Sequence, residues 1–184
     1  MSLTEDARND KDVKNLYGSS NDDLDASNGL EKLSVTETVT IDAPAKDVWD
    51  EAVSFDGLDS WIPGITKNEL VSGVPNEADA VRKLYVDDAS LTEELMDLDD
   101  KTMTLKYRII KDNVDLLPVT HYNSTISAAS EGDNASEITW SGEFYRGFPE
   151  SNPPDYLSDE AAVKGVTGLY QAGLGNLKKE LEGK

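Results

Sequence analysis

Val35, Val39 and Ile41 alternate with Thr36, Thr38 and Thr40, which puts the apolar side chains on one face of an extended segment. A period of two predicts a half-buried strand beginning near Ser34. Pro44 then opens a helix, at a position where its missing N–H leaves nothing unsatisfied. Val48, Ala52 and Phe55 recur at helical spacing, Trp49 and Val53 widen the stripe, and Asp56-Gly57 ends it. A tight connection at Trp61-Ile62-Pro63-Gly64 leads into a weakly patterned strand over 65–71. Alternation then predicts further strands over 80–86, 91–98, 102–110, 119–128 and 137–146. Asp87-Asp88, Asp99-Asp100 and Gly132-Asp133-Asn134 separate them as turns, short enough for hairpins and hence for an antiparallel meander.

The last element follows a Pro-rich loop over 148–156. Ser158 can cap a helix there, with Asp159 and Glu160 at the positive end of its dipole. Val163, Val166, Tyr170, Leu174, Leu177 and Leu181 share one face. Gly165, Gly168, Gly173 and Gly175 interrupt it, each costing about 1 kcal/mol against Ala, so close approach to the sheet is expected. The order predicts an α+β fold: a curved antiparallel sheet of six to seven strands, wrapped around a long C-terminal helix with a cavity between them. Residues 1–33 lack a sustained apolar period and read as an acidic tail, disordered or loosely docked, with 34–184 as one domain.

Charge narrows the partners. The chain of 184 residues carries 37 acidic and 17 basic residues, a formal net charge of −20. Such a surface suits neither nucleic acid nor anionic lipid, whose phosphates need clustered Lys and Arg. It keeps a soluble protein dispersed, a salty habitat included, and its sharper use is docking onto a basic protein. No cysteine is present, so neither disulfides nor thiolate metal sites arise. No apolar run approaches the roughly 18 residues of a membrane span, so no membrane insertion is expected. No cofactor is implied, because the chain shows neither a phosphate-cradling glycine loop nor a metal-ligand cluster.

Candidate chemistry follows from which side chains face the helix. Arg82, Leu84 and Val86 share one face, as do Leu91, Glu93 and Leu95 on the next strand. Tyr107 and Ile109, then Tyr122, Ser124 and Ile126, then Trp140, Gly142 and Phe144 point the same way. Arg82 and Glu93 are thus expected to meet among apolar neighbours, where a lone charge is very costly. They either satisfy each other and fix strand register, or form the polar anchor of an apolar pocket. Glu37 is expected at the sheet margin in water. His121 is expected outward, and as the single histidine it makes neither a triad nor a metal site.

The runs Ile41-Asp42-Ala43-Pro44-Ala45-Lys46-Asp47-Val48-Trp49, Trp61-Ile62-Pro63, Glu93-Glu94-Leu95 and Leu117-Pro118-Val119, with Tyr122, resemble the helix-grip superfamily. Its members include START-like domains, birch-pollen allergens, polyketide cyclases and plant abscisic-acid receptors. Phe144-Tyr145-Arg146-Gly147, Asn152-Pro153-Pro154 and 159–164 further resemble a bacterial subgroup related to the methanol-oxidation accessory protein MxaD. That resemblance implies periplasmic export if a signal peptide has been removed, and the cytoplasm otherwise. The likeness to the abscisic-acid receptors places Glu93, Tyr122 and Ser124 at polar pocket positions. Gly64 falls near the receptor lysine that anchors the hormone's carboxylate, which makes abscisic acid a poor match.

Alternation and resemblance together give a candidate ligand-binding set of Trp61, Arg82, Leu84, Glu93, Tyr107, Tyr122, Ser124, Trp140, Phe144, Val166 and Tyr170. The entrance is expected among the loops 87–90, 114–118 and 148–156. The function expected is binding of a small, mostly apolar molecule, with assistance to a partner redox enzyme as its finer form. The alternative is a polyketide-cyclase or dehydrase-like enzyme with Glu93 as general base.

Overall fold

The computed structural model describes residues 30–183. Strand β1 (Leu33–Ile41) is followed by helix α1 (Ala45–Val53), and a single 3-10 turn spans Leu58–Ser60. Strands β2 (Lys67–Ser72), β3 (Val81–Val86), β4 (Ala89–Asp99), β5 (Thr104–Lys111), β6 (Val119–Ser130) and β7 (Ser136–Arg146) come next. A second 3-10 turn (Asp155–Leu157) leads into helix α2 (Asp159–Glu182). All seven strands form one antiparallel sheet in the order β1-β7-β6-β5-β4-β3-β2. The expected meander is present, closed at one side by β1 returning to pair with β7.

β1 carries the expected alternation, with Val35 and Ile41 buried and Thr36, Thr38 and Thr40 exposed. α1 starts one residue later than expected, because Pro44 supplies the cap: its carbonyl accepts from Asp47 and Val48 N–H. The helix also stops earlier, at Val53, so Phe55 sits beyond it. Its ring is fully buried all the same, and its backbone is held by Asn76 and Asn68 side chains. Trp49 lies on the buried face, its indole N–H donating to Asp100 at 2.8 Å.

Ser158 caps α2 as expected, accepting from Ala161 N–H at 3.1 Å. The buried stripe of α2 contains Ala162 where Val163 was expected, since Val163 is only half-buried. Of the four helical glycines, two serve close approach. A Cβ on Gly173 would come within 2.9 Å of the Trp140 ring, and one on Gly165 within 3.0 Å of Pro118. Gly168 and Gly175 face open space, so close packing explains only half of the set. The far end of α2 is fastened to β1: Lys178 Nζ donates to the Thr40 carbonyl at 2.6 Å, and Glu182 accepts from Asp42 N–H at 2.9 Å.

Leu30 is already buried and β1 opens at Leu33, so the boundary expected at residue 33 falls on structured chain. The remainder of the expected tail, residues 1–29, lies outside the described residues. Among the described residues no helix is long and apolar enough to cross a membrane. None of their His, Asp and Glu side chains group in threes that could hold a metal.

Candidate functional site

The hairpin of β3 and β4 sets the centre of the site. Its two-residue turn at Asp87-Asp88, with Asp87 at φ 55°, fixes the register so that Arg82 stands directly across from Glu93. Both side chains are buried, and Arg82 Nε donates to one carboxylate oxygen, Glu93 Oε2, at 2.7 Å, while Nη2 forms an ion pair with the same oxygen at 2.5 Å. Nη1 donates to the Phe55 carbonyl at 3.1 Å. The guanidinium lies 4.2 Å from the Phe55 ring centroid, a cation–π contact in a desolvated setting. Burial pushes the Glu93 carboxyl up, and the Arg82 charge pulls it back down.

A second polar cluster crosses the sheet beside this pair. Trp140 Nε1 donates to Ser124 Oγ at 2.8 Å and to Tyr107 OH at 3.1 Å. Tyr107 and Tyr122 hydroxyls meet at 3.1 Å, Tyr122 and Tyr170 at 2.6 Å, and Tyr170 reaches Ser124 at 3.1 Å. Ser124 Oγ donates to the Ser141 carbonyl at 2.9 Å. The Trp140 and Tyr170 rings stack with centroids 4.2 Å apart. Gly142 opens the space for this, since a Cβ there would lie 2.2 Å from Tyr170 OH.

Every hydroxyl in the cluster is partnered, and burial holds the phenols neutral. Tyr107 is pushed up to about 12 by burial and the nearby Glu93 charge, and burial likewise pushes Tyr122 and Tyr170 up. A raised phenol pKa means the folded state keeps a proton that the unfolded chain releases from about pH 10. This stabilisation is complete below pH 10 and is lost as pH rises through about 12 for Tyr107. An ultraviolet titration should therefore show these three phenols silent near pH 10, ionising together with alkaline unfolding. Their titration at pH 10 in folded protein would contradict the cluster.

Between sheet and α2 lies a cavity of about 170 Å³. Five members of the expected set line it: Leu84, Glu93, Tyr107, Tyr122 and Trp140. The others do not reach it. Arg82 is turned toward Phe55, while Ser124 accepts from the Trp140 N–H and Tyr170 stacks on the Trp140 ring. Trp61 is fully buried but packs its ring on Trp140 at 5.5 Å, next to Gly173. Phe144 and Val166 are likewise buried in the core without facing the cavity, Phe144 packing against Tyr122.

The rest of the wall was not in the expected set. Leu58, Ile62 and Ile65 come from the connection after α1, Leu116 and Leu117 from the loop before β6, and Gly165 and Leu169 from α2. Val86 and Leu91 complete it from the β3–β4 hairpin, Val86 being 37% exposed at the mouth. Of the expected entrance loops, 114–118 contributes Leu116 and Leu117. Glu37 is half-buried at the margin and accepts a hydrogen bond from Gln171. His121 sits in an irregular stretch of β6 at φ 51°, half-buried against Tyr145 on the side away from the cavity.

Several solved structures share this architecture. A crystal structure of an uncharacterised protein from Bacillus thuringiensis is 30% identical, with a TM-score of 0.67, covering 81% of this chain and 98% of its own. The protein XoxI from Bacillus cereus is 29% identical with a TM-score of 0.67, covering 80% of this chain and 94% of its own. The Zhui aromatase/cyclase from Streptomyces sp. R1128, at 21% identity and a TM-score of 0.64, covers 83% of this chain and 95% of its own. That last likeness is one of fold. No curated protein sequence matches the chain. Residues 32–182 match the family described as polyketide cyclase/dehydrase and lipid transport, and the chain belongs to that family.

Proposed function

We propose that this chain is a binding protein that holds a small, mostly apolar molecule in the cavity, with Glu93 as its polar anchor. One observation carries the reading. A carboxylate whose role was only to neutralise Arg82 would be packed over, yet Glu93 faces open space of about 170 Å³ walled mainly by Leu, Ile and Val side chains. That volume sets the scale of the ligand, since an engineered cavity of about 150 Å³ admits benzene. One ring fits that space.

The finer reading is that the chain assists a partner redox enzyme. It is supported by the resemblance of 144–147, 152–154 and 159–164 to the MxaD-related subgroup, and by the net charge of −20, which favours a basic partner. The enzymatic alternative, with Glu93 as general base, has one observation in its favour: burial raises the affinity of Glu93 for a proton.

The test is native mass spectrometry of freshly purified protein beside a cavity-filled variant. Leu169 lines the cavity from α2 and is only half-buried, so Leu169→Trp can project a larger side chain into the space. Wild type should carry a small co-purified molecule, or bind added toluene in a thermal-shift titration, and Leu169→Trp should do neither. Equal binding by the two would place the ligand elsewhere and overturn the reading.

A further inference from the structure

The hydroxyl cluster has a direction built into it. The Ser141 carbonyl can only accept, so the Ser124 proton is committed to it. The contact between Tyr170 and Ser124 must then carry the Tyr170 proton. By the same step, the 2.6 Å contact carries the proton of Tyr122, and the contact between Tyr107 and Tyr122 carries that of Tyr107. Four protons therefore run one way, from Tyr107 through Tyr122 and Tyr170 to Ser124 and the Ser141 carbonyl. The Trp140 N–H is already shared between Tyr107 and Ser124.

Tyr107 and Tyr122 are thus left with only oxygen lone pairs to offer the cavity they line. Glu93 adds a carboxylate whose Oε2 holds both Arg82 contacts, while Oε1 has no hydrogen-bond partner among the described residues. Arg82 itself is directed at Glu93 and the Phe55 carbonyl, and does not line the cavity. The polar part of the wall accepts hydrogen bonds and donates none.

Resting on the reading that the cavity holds a small apolar molecule, we propose that the ligand is a neutral or cationic single-ring compound carrying one O–H or N–H donor, which it gives to Glu93 Oε1. A carboxylate ligand would meet a like charge and lone pairs with no donor to balance it. A ligand with acceptors alone would leave Glu93 Oε1 desolvated and unpaired.

Calorimetric titration of the full chain with phenol, anisole, toluene and benzoate tests this. Phenol should bind at least about tenfold more tightly than anisole or toluene, the scale of one hydrogen bond to a charged acceptor, and benzoate should not bind. Tyr170→Phe removes a hydroxyl that never touches the cavity. It strands the Tyr122 proton, so that Tyr122, or Tyr107 by reversal of their link, presents an O–H to the ligand. Anisole should then gain on phenol by roughly tenfold. Glu93→Gln should lower the preference for phenol by the other route, and Tyr170→Phe supplies the answer if that variant does not fold.

Equal affinity of wild type for phenol and anisole, binding of benzoate, or an unchanged ratio in Tyr170→Phe would each overturn the donor assignment while leaving the cavity as a binding site. Failure of phenol, anisole and toluene alike would overturn the cavity reading, and this inference with it.

Discussion

Arg82→Met should cost about 3–5 kcal/mol of folding stability, and Glu93→Leu a similar amount, because each strands the partner's charge in the interior. The double substitution should recover most of that loss. Both side chains are almost fully buried, so the pair is bonded out of water and salt will screen it little. Recovery should be incomplete, because Arg82 also donates to the Phe55 carbonyl and stacks on its ring. That carbonyl keeps Asn68 as a donor at 3.1 Å, which limits the residual penalty. A double-mutant cycle by denaturant unfolding gives the coupling directly. Single costs that simply add would show the two charges to be independent.

Trp49→Ala should be comparably severe, at about 3–5 kcal/mol. The indole is 3% exposed and joins α1 to the core, and its N–H ties the helix to Asp100 in the turn between β4 and β5. Trp49→Phe separates the two contributions, keeping a ring but losing the bond, and should cost nearer 1 kcal/mol for the hydrogen bond itself. Equilibrium unfolding of both variants checks the ordering. A loss below about 1 kcal/mol for Trp49→Ala would put the indole at the surface and contradict the phase of α1.

The meeting of Arg82 with Glu93 was legible in the sequence because two facts suffice for it. Asp87-Asp88 marks a two-residue turn, and a period of two then carries the register back to the pair. The strands and the cap of α2 were legible for the same reason: each depends on neighbours within a few residues. The cavity wall was not. Leu116, Leu117 and Leu169 reach it because a loop and a helix converge there, which no local period encodes. Alternation holds through Leu91, Glu93 and Leu95 in β4 and fails only past the irregular step between Leu95 and Asp97, where Met96 and Asp97 are both exposed. Thr120 shows the same limit in β6, buried beside Val119 where the pairing shifts between Thr120 and Asn123.

Tyr170 and Ser124 illustrate a second limit. Pattern gives the face of an element, not the depth of a side chain within the layer it faces. Both point inward, and both end against Trp140, occupied with one another. Phe55 shows a third: its ring was expected on the helix, but its backbone carbonyl, invisible to any side-chain pattern, is what completes the coordination of Arg82.

The most direct test of the account is where a small apolar probe sits in solution. With methyl groups labelled, toluene or phenol added to the full chain should shift the resonances of Leu84, Leu91, Leu117 and Leu169, and give intermolecular nuclear Overhauser contacts to them. Those four come from β3, β4, the loop before β6 and α2, so they can respond together only if the probe lies between sheet and helix. Contacts confined to exposed residues such as Val71, Val74 or Ile110, or no contacts at all, would contradict an internal binding site.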